Sequence, residues 1–270
     1  MTTFMGYRRP DGRIGVRNIV AIVSAMDNTN ACANRIADIV AQAVPVTTPF
    51  GRTQIGHDFE MTLRTLAGIG AHPNVAAVLV LGLSLASANA LADRIRPSGK
   101  PVDVLGLQEA GSTMGLTVAG VRAAADLTVA ASEQAREPCS FSDLTIAVEC
   151  GGSDTTSGIA SNPTVGLFAD RFIDAGGTIV LSEPAEFMGG EHILAKRAAN
   201  PEDAERIFSM VKWFEDEAKR NGVDMRGTNP TPDNIEGGLT TLEEKSLGAI
   251  AKGGSRPVVE VIEYSEQASK

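Results

Sequence analysis

The chain has 270 residues, a net charge of −9, 28 glycines, and an apolar share of 43% of which very little is aromatic. That length can bury a substantial core in one or two domains, and the aliphatic, glycine-rich make-up is that of an α/β protein. The acidic balance, with Lys and Arg scattered rather than gathered in a run, argues against nucleic acid or an anionic membrane as a main partner.

The opening "MTTFMGYRRPDGR" turns polar before the apolar core of a signal peptide can begin, so secretion is not expected. "NIVAIVS" then reads as a buried strand and "NACANRIADIVAQA" as a helix with apolar residues at helical spacing. "DFEMTLRTLAGIGAH" is a second amphipathic helix, stopped by glycine before "HPN". "VAAVLVLGL" follows as a strand; it is the longest greasy run and is too short to cross a bilayer, so no membrane span is expected. "ASANALADRIRPSG" reads as helix, "PVDVLGL" as strand and "GLTVAGVRAAADLTVAASEQA" as helix.

"DLTIAVEC" is the next strand and "NPTVGLFADRFIDAGG" the next helix, with Pro163 suited to its first turn. "TIVLSE" is again a strand, and "PEDAERIFSMVKWFEDEAKRNG" a solvent-facing helix capped by Gly222. This alternation predicts a mostly parallel sheet with helices on both faces, in Rossmann-like layers. After Asp224 the texture turns to Gly, Pro, Asn and Thr, an irregular segment in which "PVVEVIEY" is one last candidate strand. The expected divisions are a first lobe over 1–138, a second over 139–224 and an irregular extension over 225–270.

In such sheets ligands gather outside the carboxyl ends of the strands. Three such ends are polar and glycine-rich: "SAMDNTN", "ECGGSDTTSGIASNPTVG" and "SEPAEFMGGEH", which predicts one crevice where they converge. Cys150 ends a strand, and Gly151 and Gly152 let a ligand approach the backbone. Ser153, Asp154, Thr155 and Thr156 supply donors and acceptors for a hydroxylated or oxyanionic substrate, and a helix starting near Asn162 offers free N–H groups to an anion. A buried cysteine followed by a hydroxyl-rich turn is the bland alternative, and spacing alone does not choose.

Of three histidines, His72 in "AHPN" reads as a structural cap, and His57 beside Asp58 reads either way. His192 follows two glycines and adjoins Glu191; it is the best general base or metal ligand in the chain, against the alternative of a surface histidine at a helix start. Arg9 and Arg17, in the cluster "YRRPDGRIGVRN", are candidates to clamp a substrate carboxylate, although arginines near a terminus more often pin the chain. There is no CxxC, HExxH or EF-hand spacing, no GxGxxG after a strand, no P-loop and no GxSxG elbow. Cys32, Cys139 and Cys150 are odd in number and at no disulfide-like spacing, so free thiols in a reducing cytoplasm are expected.

Taken in order, "YRRPDGRIGVRN", "AHPNVAAVLVLGL", "ECGGSDTTSGIASNPTVG", "AGGTIVLSEPAEFMGGEH" and "NIEGGLTTLEEKSLG" resemble the altronate/galactarate dehydratase family, which also includes the large subunit of sulfolactate sulfo-lyase. The likeness runs from about Tyr7 to about Lys252, and "FGRTQIGHD", "SDTTSG", "GGEH" and "NIEGGLTT" look closer to the sulfo-lyase branch. The resemblance implies a lyase that makes a 2-oxo acid from a small 2-hydroxy acid, either sulfolactate to pyruvate and sulfite or dehydration of a sugar acid. It also implies a divalent metal, typically iron, for which Cys150 and His192 are the candidate ligands. His192, Asp154 and Glu191 are then the candidate acid–base groups. A small partner subunit or domain, and assembly as a homo-oligomer, are further expectations. Two departures stand out: the dehydratase branch carries cysteines where this chain has Arg52, Thr53, Ser84 and Leu85, and relatives continue past the segment where this chain stops. Both leave room for a non-catalytic or incomplete subunit.

Overall fold

Every residue from Val75 to Gly82 is buried, as an unbroken run of Val, Ala and Leu requires of a strand covered on both faces. The structure, a computed structural model, describes residues 3–266, 268 and 269. It divides into two compact units, residues 3–140 with 264–266, and residues 141–263 with 268 and 269.

Along the first unit run β1 (Thr3–Arg8), β2 (Ile14–Gly15), β3 (Ile19–Ser24), α1 (Asn30–Ile39), β4 (Ala43–Val46), α2 (Gly56–Ala71), β5 (Val75–Gly82), α3 (Leu85–Ile95), β6 (Val102–Gly106), α4 (Thr113–Ser132) and β7 (Glu137–Ser140). The sheet β4-β3-β5-β6 is parallel throughout, with Ile22 opposite both Pro45 and Leu79. Alternation along the strands sorts their side chains between two faces. Val20, Ile22, Leu79 and Leu81 pack with Cys32 and Ile36 of α1 and Leu116, Ala124 and Leu127 of α4. Ala21, Val23, Val78 and Val80 pack with Leu63 and Leu66 of α2 and Leu91 and Ile95 of α3. The predicted parallel sheet with helices on both faces is therefore present in this unit.

Two features depart from expectation. An antiparallel sheet β2-β1-β7 ties residues 3–15 to 137–140, with Phe4 opposite Cys139; its strands are short and interrupted by Gly, Arg and Pro, so no alternation announces them. α4 is long and apolar enough, by length and composition alone, to cross a membrane, where the longest greasy run suggested no such segment. Its Ala, Val and Leu content raises its hydropathy, and its Gly120 serves packing: a Cβ there would stand 2.2 Å from Ile36 Cδ1, so α1 and α4 pack too closely for a side chain. Leu116, Gly120, Ala124, Leu127 and Ala131 form one stripe buried on the sheet, as in a core helix.

At the end of α2, Lys100 Nζ donates to Ala71 O (2.6 Å) and His72 O (2.5 Å), and Arg13 also donates to Ala71 O (2.7 Å). His72 caps this end as expected, its Nδ1 accepting from Asn74 N. Burial, with Arg13 and Arg9 nearby, lowers the Lys100 pKa to about 7; a neutral amine still has two hydrogens for two carbonyls. The unfolded chain then binds one more proton than the folded one between pH 7 and the ordinary lysine range, so stability must rise with pH across that window. Denaturant midpoints taken from pH 7 to 10 should climb in the parent and climb less in Lys100→Met. Parallel slopes in the two proteins would refute this.

The second unit contains β8 (Thr145–Val148), α5 (Asn162–Asp174), β9 (Thr178–Leu181), α6 (Glu191–Ala195), α7 (Pro201–Arg220), α8 (Met225–Thr228), α9 (Pro232–Glu236) and α10 (Leu242–Ala251). β8 and β9 form a parallel pair, Thr145 opposite Thr178 and Val148 opposite Leu181. The core gathers Phe187, Met188, Leu194, Ile207, Val211 and Ile250. α7 starts on Asn200, whose Oδ1 accepts from Asp203 N at 2.8 Å, and ends before Gly222 at φ 76°.

The stretch from 225 onward is less irregular than its composition suggests, because α8, α9 and α10 lie within it and it belongs to this unit as far as Glu263. "PVVEVIEY" forms no strand: it makes one bridge, Ala198 with Val258, and its Val261 N is held by the buried Asp203 carboxylate at 3.1 Å. A β-branched run becomes a strand only where a neighbouring edge accepts its whole ladder, and here a helix N-terminus takes that place.

Candidate functional site

Parallel strands β8 and β9 end side by side, and both go straight into the polar segments singled out from sequence. Ser182 N and Ser182 Oγ both donate to Val148 O, at 3.4 and 3.1 Å, closing the end of the pair. Just beyond, Cys150 N donates to Glu183 Oε2 at 2.6 Å, a charge-assisted bond joining the two loops. Glu183 holds φ 65° and ψ 70°, a left-handed conformation in a residue that is not glycine and that precedes Pro184. Both facts run against local preference, so tertiary contacts impose the geometry.

The loop after β8 is organised by its own side chains. Cys150 Sγ lies 3.1 Å from Ser153 Oγ. Asp154 Oδ1 accepts from Thr156 Oγ1 (2.7 Å), Ser157 N (3.0 Å) and Ser157 Oγ (3.3 Å). These bonds, the Thr156 hydroxyl foremost, hold the Asp154 carboxyl below the usual range, so it is ionised at neutral pH. Thr155 N and Oγ1 both donate to Gly237 O, and Asn234 Nδ2 donates to Ser153 O at 2.9 Å.

Helical backbone begins here at Thr155, with Asp154 as its cap, and passes through a π-turn at Ser157–Ser161 into α5. α5 itself opens at Asn162 as expected, but helical backbone already precedes it from Thr155. Asn162 N bonds Ser157 O inside the helix, so the N–H groups expected there for an anion are already engaged. Pro163 lies in the first turn of α5, as expected, directly after the π-turn.

Gly151 and Gly152 are exposed; neither needs a positive φ, and a Cβ on either would meet nothing within 4 Å. Glu191 opens α6, with Oε1 accepting from Arg226 at 3.3 Å and Oε2 buried without a partner. His192 follows on the same short helix, exposed, and among the described residues no hydrogen bond orients its ring.

The remaining candidates lie in the first unit. Arg9 is 3% exposed, and its guanidinium donates to Pro73 O (2.6 Å), Asn18 Oδ1 (2.8 Å), Gln134 Oε1 (2.6 Å) and Arg17 O (2.7 Å). It pins the chain, the commoner of the two roles weighed for it. Arg17 is exposed. Arg52 grips Asp27 bidentately at 2.7 and 2.5 Å, and Ser84 caps α3 by accepting from Ser87 N, so two of the four positions that depart from the dehydratase pattern are spent on local structure.

Two family descriptions match the chain: "D-galactarate dehydratase/Altronate hydrolase, second domain" over residues 6–132 and "D-galactarate/Altronate dehydratase, C-terminal" over residues 141–270. The chain belongs to the galactarate/altronate dehydratase family. Within that family it is 42% identical over 94% of its length to the (2R)-sulfolactate sulfo-lyase subunit beta of Chromohalobacter salexigens, of which it spans 65%. It is 36% identical over 98% of its length to the altronate dehydratase of Bacillus subtilis and 28% identical over 99% to the galactarate dehydratase (L-threo-forming) of Escherichia coli. It spans 55% of each of these two relatives. The boundary between the two family descriptions falls where the two units meet in sequence.

For a galactarate/altronate dehydratase family member, a bound metal is the group to test against the residues. Among the described residues no three His, Cys, Asp or Glu side chains are grouped so as to hold a metal ion. Cys150 and His192 therefore belong, among the described residues, to no such group, and the residues present do not make a closed centre. Sequence reasoning also passed over Glu183, Glu186 and Lys245. For Glu183 a signal existed, an acid before proline at a strand end; for Lys245 none did, because one lysine in "TLEEKSLG" looks like any helix-surface charge.

Proposed function

We propose that the chain is the large-subunit part of a lyase that eliminates a group from the carbon beside the hydroxyl-bearing carbon of a small 2-hydroxy acid, with sulfolactate as the favoured substrate. The observation that carries this reading is the bare backbone at Gly151 and Gly152. A Cβ on either would meet nothing within 4 Å, so the backbone at the end of β8 stands open to close approach by a ligand. The 42% identity to a protein named as a sulfolactate sulfo-lyase subunit supports the choice of substrate.

In this reading the backbone N–H groups of Gly151 and Gly152 face the substrate carboxylate and shelter the charge that grows on it when the adjacent proton leaves. Ser153, Thr155 and Thr156 line the loop as further hydrogen-bonding groups. Asp154 keeps that loop shaped. His192, with Glu191 beside it in sequence, takes the proton from the hydroxyl-bearing carbon. The carbon–sulfur bond breaks as the carbon–carbon double bond forms, sulfite leaves with the bonding pair, and the enol takes a proton on carbon while giving up its hydroxyl proton to become pyruvate. With altronate or galactarate the same sequence expels hydroxide, which is the alternative chemistry.

The relative's designation as a subunit favours a partner chain, and an incomplete subunit that is inactive alone is the remaining alternative. A cytoplasmic location and a homo-oligomer complete the proposal; the free thiols of Cys32, Cys139 and Cys150 suit the former. Sulfite release from sulfolactate should be measured with and without Fe2+ and a small partner subunit, beside altronate and galactarate. No product from any of them overturns the reading. Gly152→Ala should leave the melting midpoint nearly unchanged while kcat/KM falls by roughly tenfold or more, since misplacement by a methyl group spoils alignment but strains nothing.

A further inference from the structure

We propose that Lys245 is the positioning residue of this site, the group that fixes the loops after β8 and β9 relative to each other. The proposal rests on the lyase reading for its purpose but on geometry for its substance.

The Lys245 side chain is only 8% exposed although it carries an ammonium group. Such burial is tolerated where the charge is paired and its hydrogens are used. Nζ donates to Asn229 Oδ1 at 2.8 Å and Asn234 Oδ1 at 3.0 Å, and stands 3.3 Å from Glu186 Oε1. Three acceptors from three segments thus take an ammonium with three hydrogens. Each contact leads somewhere. Glu186 sits in the 3₁₀ turn Pro184–Phe187, directly after Glu183 on the loop that follows β9. Asn234 passes the contact on: its Nδ2 holds Ser153 O, in the loop that follows β8. The next residue of α10, Ser246, is buried and donates to Met188 O, so the helix carrying Lys245 is itself fastened to the β9 loop.

A pair of purely structural use would satisfy both carboxylate oxygens. Glu186 Oε1 faces Lys245, but Oε2 is buried with no donor, an arrangement that costs about 1–3 kcal/mol unless a hydroxyl or water from outside the chain fills it. The unused acceptor lies on the same loop as Glu183, whose carboxylate accepts from Cys150 N. Lys245 therefore holds a carboxylate whose other oxygen no group of the described residues engages, as well as the loop opposite.

Amide hydrogen exchange of the whole chain reads the first half without any substrate. In Lys245→Met, exchange across residues 150–157 and 182–188 should rise at least tenfold, and in Lys245→Arg by much less. Asn234→Ala should loosen 150–157 alone, because the contact to Glu186 survives. It also decides the matter if Lys245→Met fails to fold. Unchanged exchange in a folded Lys245→Met, or in Asn234→Ala, overturns the proposal. Steady-state kinetics with sulfolactate read the second half: kcat should fall about a hundredfold with KM within a few-fold, and recover partly in Lys245→Arg. Loosened loops with an unchanged kcat would reduce Lys245 to a structural lysine and overturn its positioning role. A parent protein that turns over none of the acids sinks the lyase reading instead, and exchange alone then decides whether Lys245 ties the loops.

Discussion

Arg9→Ala is expected to lower the stability of the first unit by about 3–5 kcal/mol, because four acceptors, two of them backbone carbonyls, lose a buried charged donor at once. Burial lowers the Arg9 pKa, and the neighbouring Tyr7 and Asp11 oppose that shift; the guanidinium nonetheless stays charged at any pH a folded protein meets. Its face also lies 5.4 Å from the Tyr7 ring centre. Lysine cannot replace this planar fork, so Arg9→Lys should recover only a minor part of the loss. Thermal scans should place Arg9→Ala roughly 10 °C or more below the parent. A folded Arg9→Lys with the parent's melting point and a raised KM for sulfolactate would instead return Arg9 to the substrate carboxylate.

The second large effect is on catalysis. Glu183→Gly should cut kcat/KM by about a hundredfold while leaving the melting point near that of the parent. Left-handed backbone in a non-glycine residue costs on the order of 1–3 kcal/mol, which glycine relieves. Against that gain stand the lost bond to Cys150 N and the freedom glycine adds to the unfolded chain, so the two sides roughly offset. What disappears is the tie that sets where Cys150 and its bare glycine neighbours sit. Thiol labelling provides an activity-free check, since the half-buried Cys150 should react faster once the loop is released, with Cys32 and Cys139 still protected. Parent-like turnover and labelling in Glu183→Gly would show that its backbone strain serves no site.

Both residues mark the limit of local reading. "NIVAIVS" and "VAAVLVLGL" are strands for a reason visible in the runs themselves, since short β-branched and aliphatic stretches of this kind suit a strand covered on both faces. The helices around them follow from apolar residues at helical spacing and from stops such as Gly222. "PVVEVIEY" has the same kind of letters and is no strand, because its partner is the Asp203 end of α7 rather than a sheet edge. The polar stretch after β8 is legible as a loop at a strand end, and Cys150, Gly151, Gly152 and Asp154 follow from where it falls. The helical turns that precede α5 from Thr155 are not legible, because a π-turn and an Asp154 cap look the same in sequence as one more turn of loop.

From its amino acids alone this chain declares an α/β organisation, the order of most of its strands and helices, its family, and the loop in which chemistry is to be sought; all of these depend on neighbours a few positions apart or on motifs kept in order. Only the folded chain decides which polar groups are already spent. Arg9 is used up by partners as far away as Gln134, while Glu186, tied to Lys245 across almost sixty residues, keeps one oxygen unspent. Hydrogen-bond saturation is a property of contacts distant in sequence, and no local pattern encodes it.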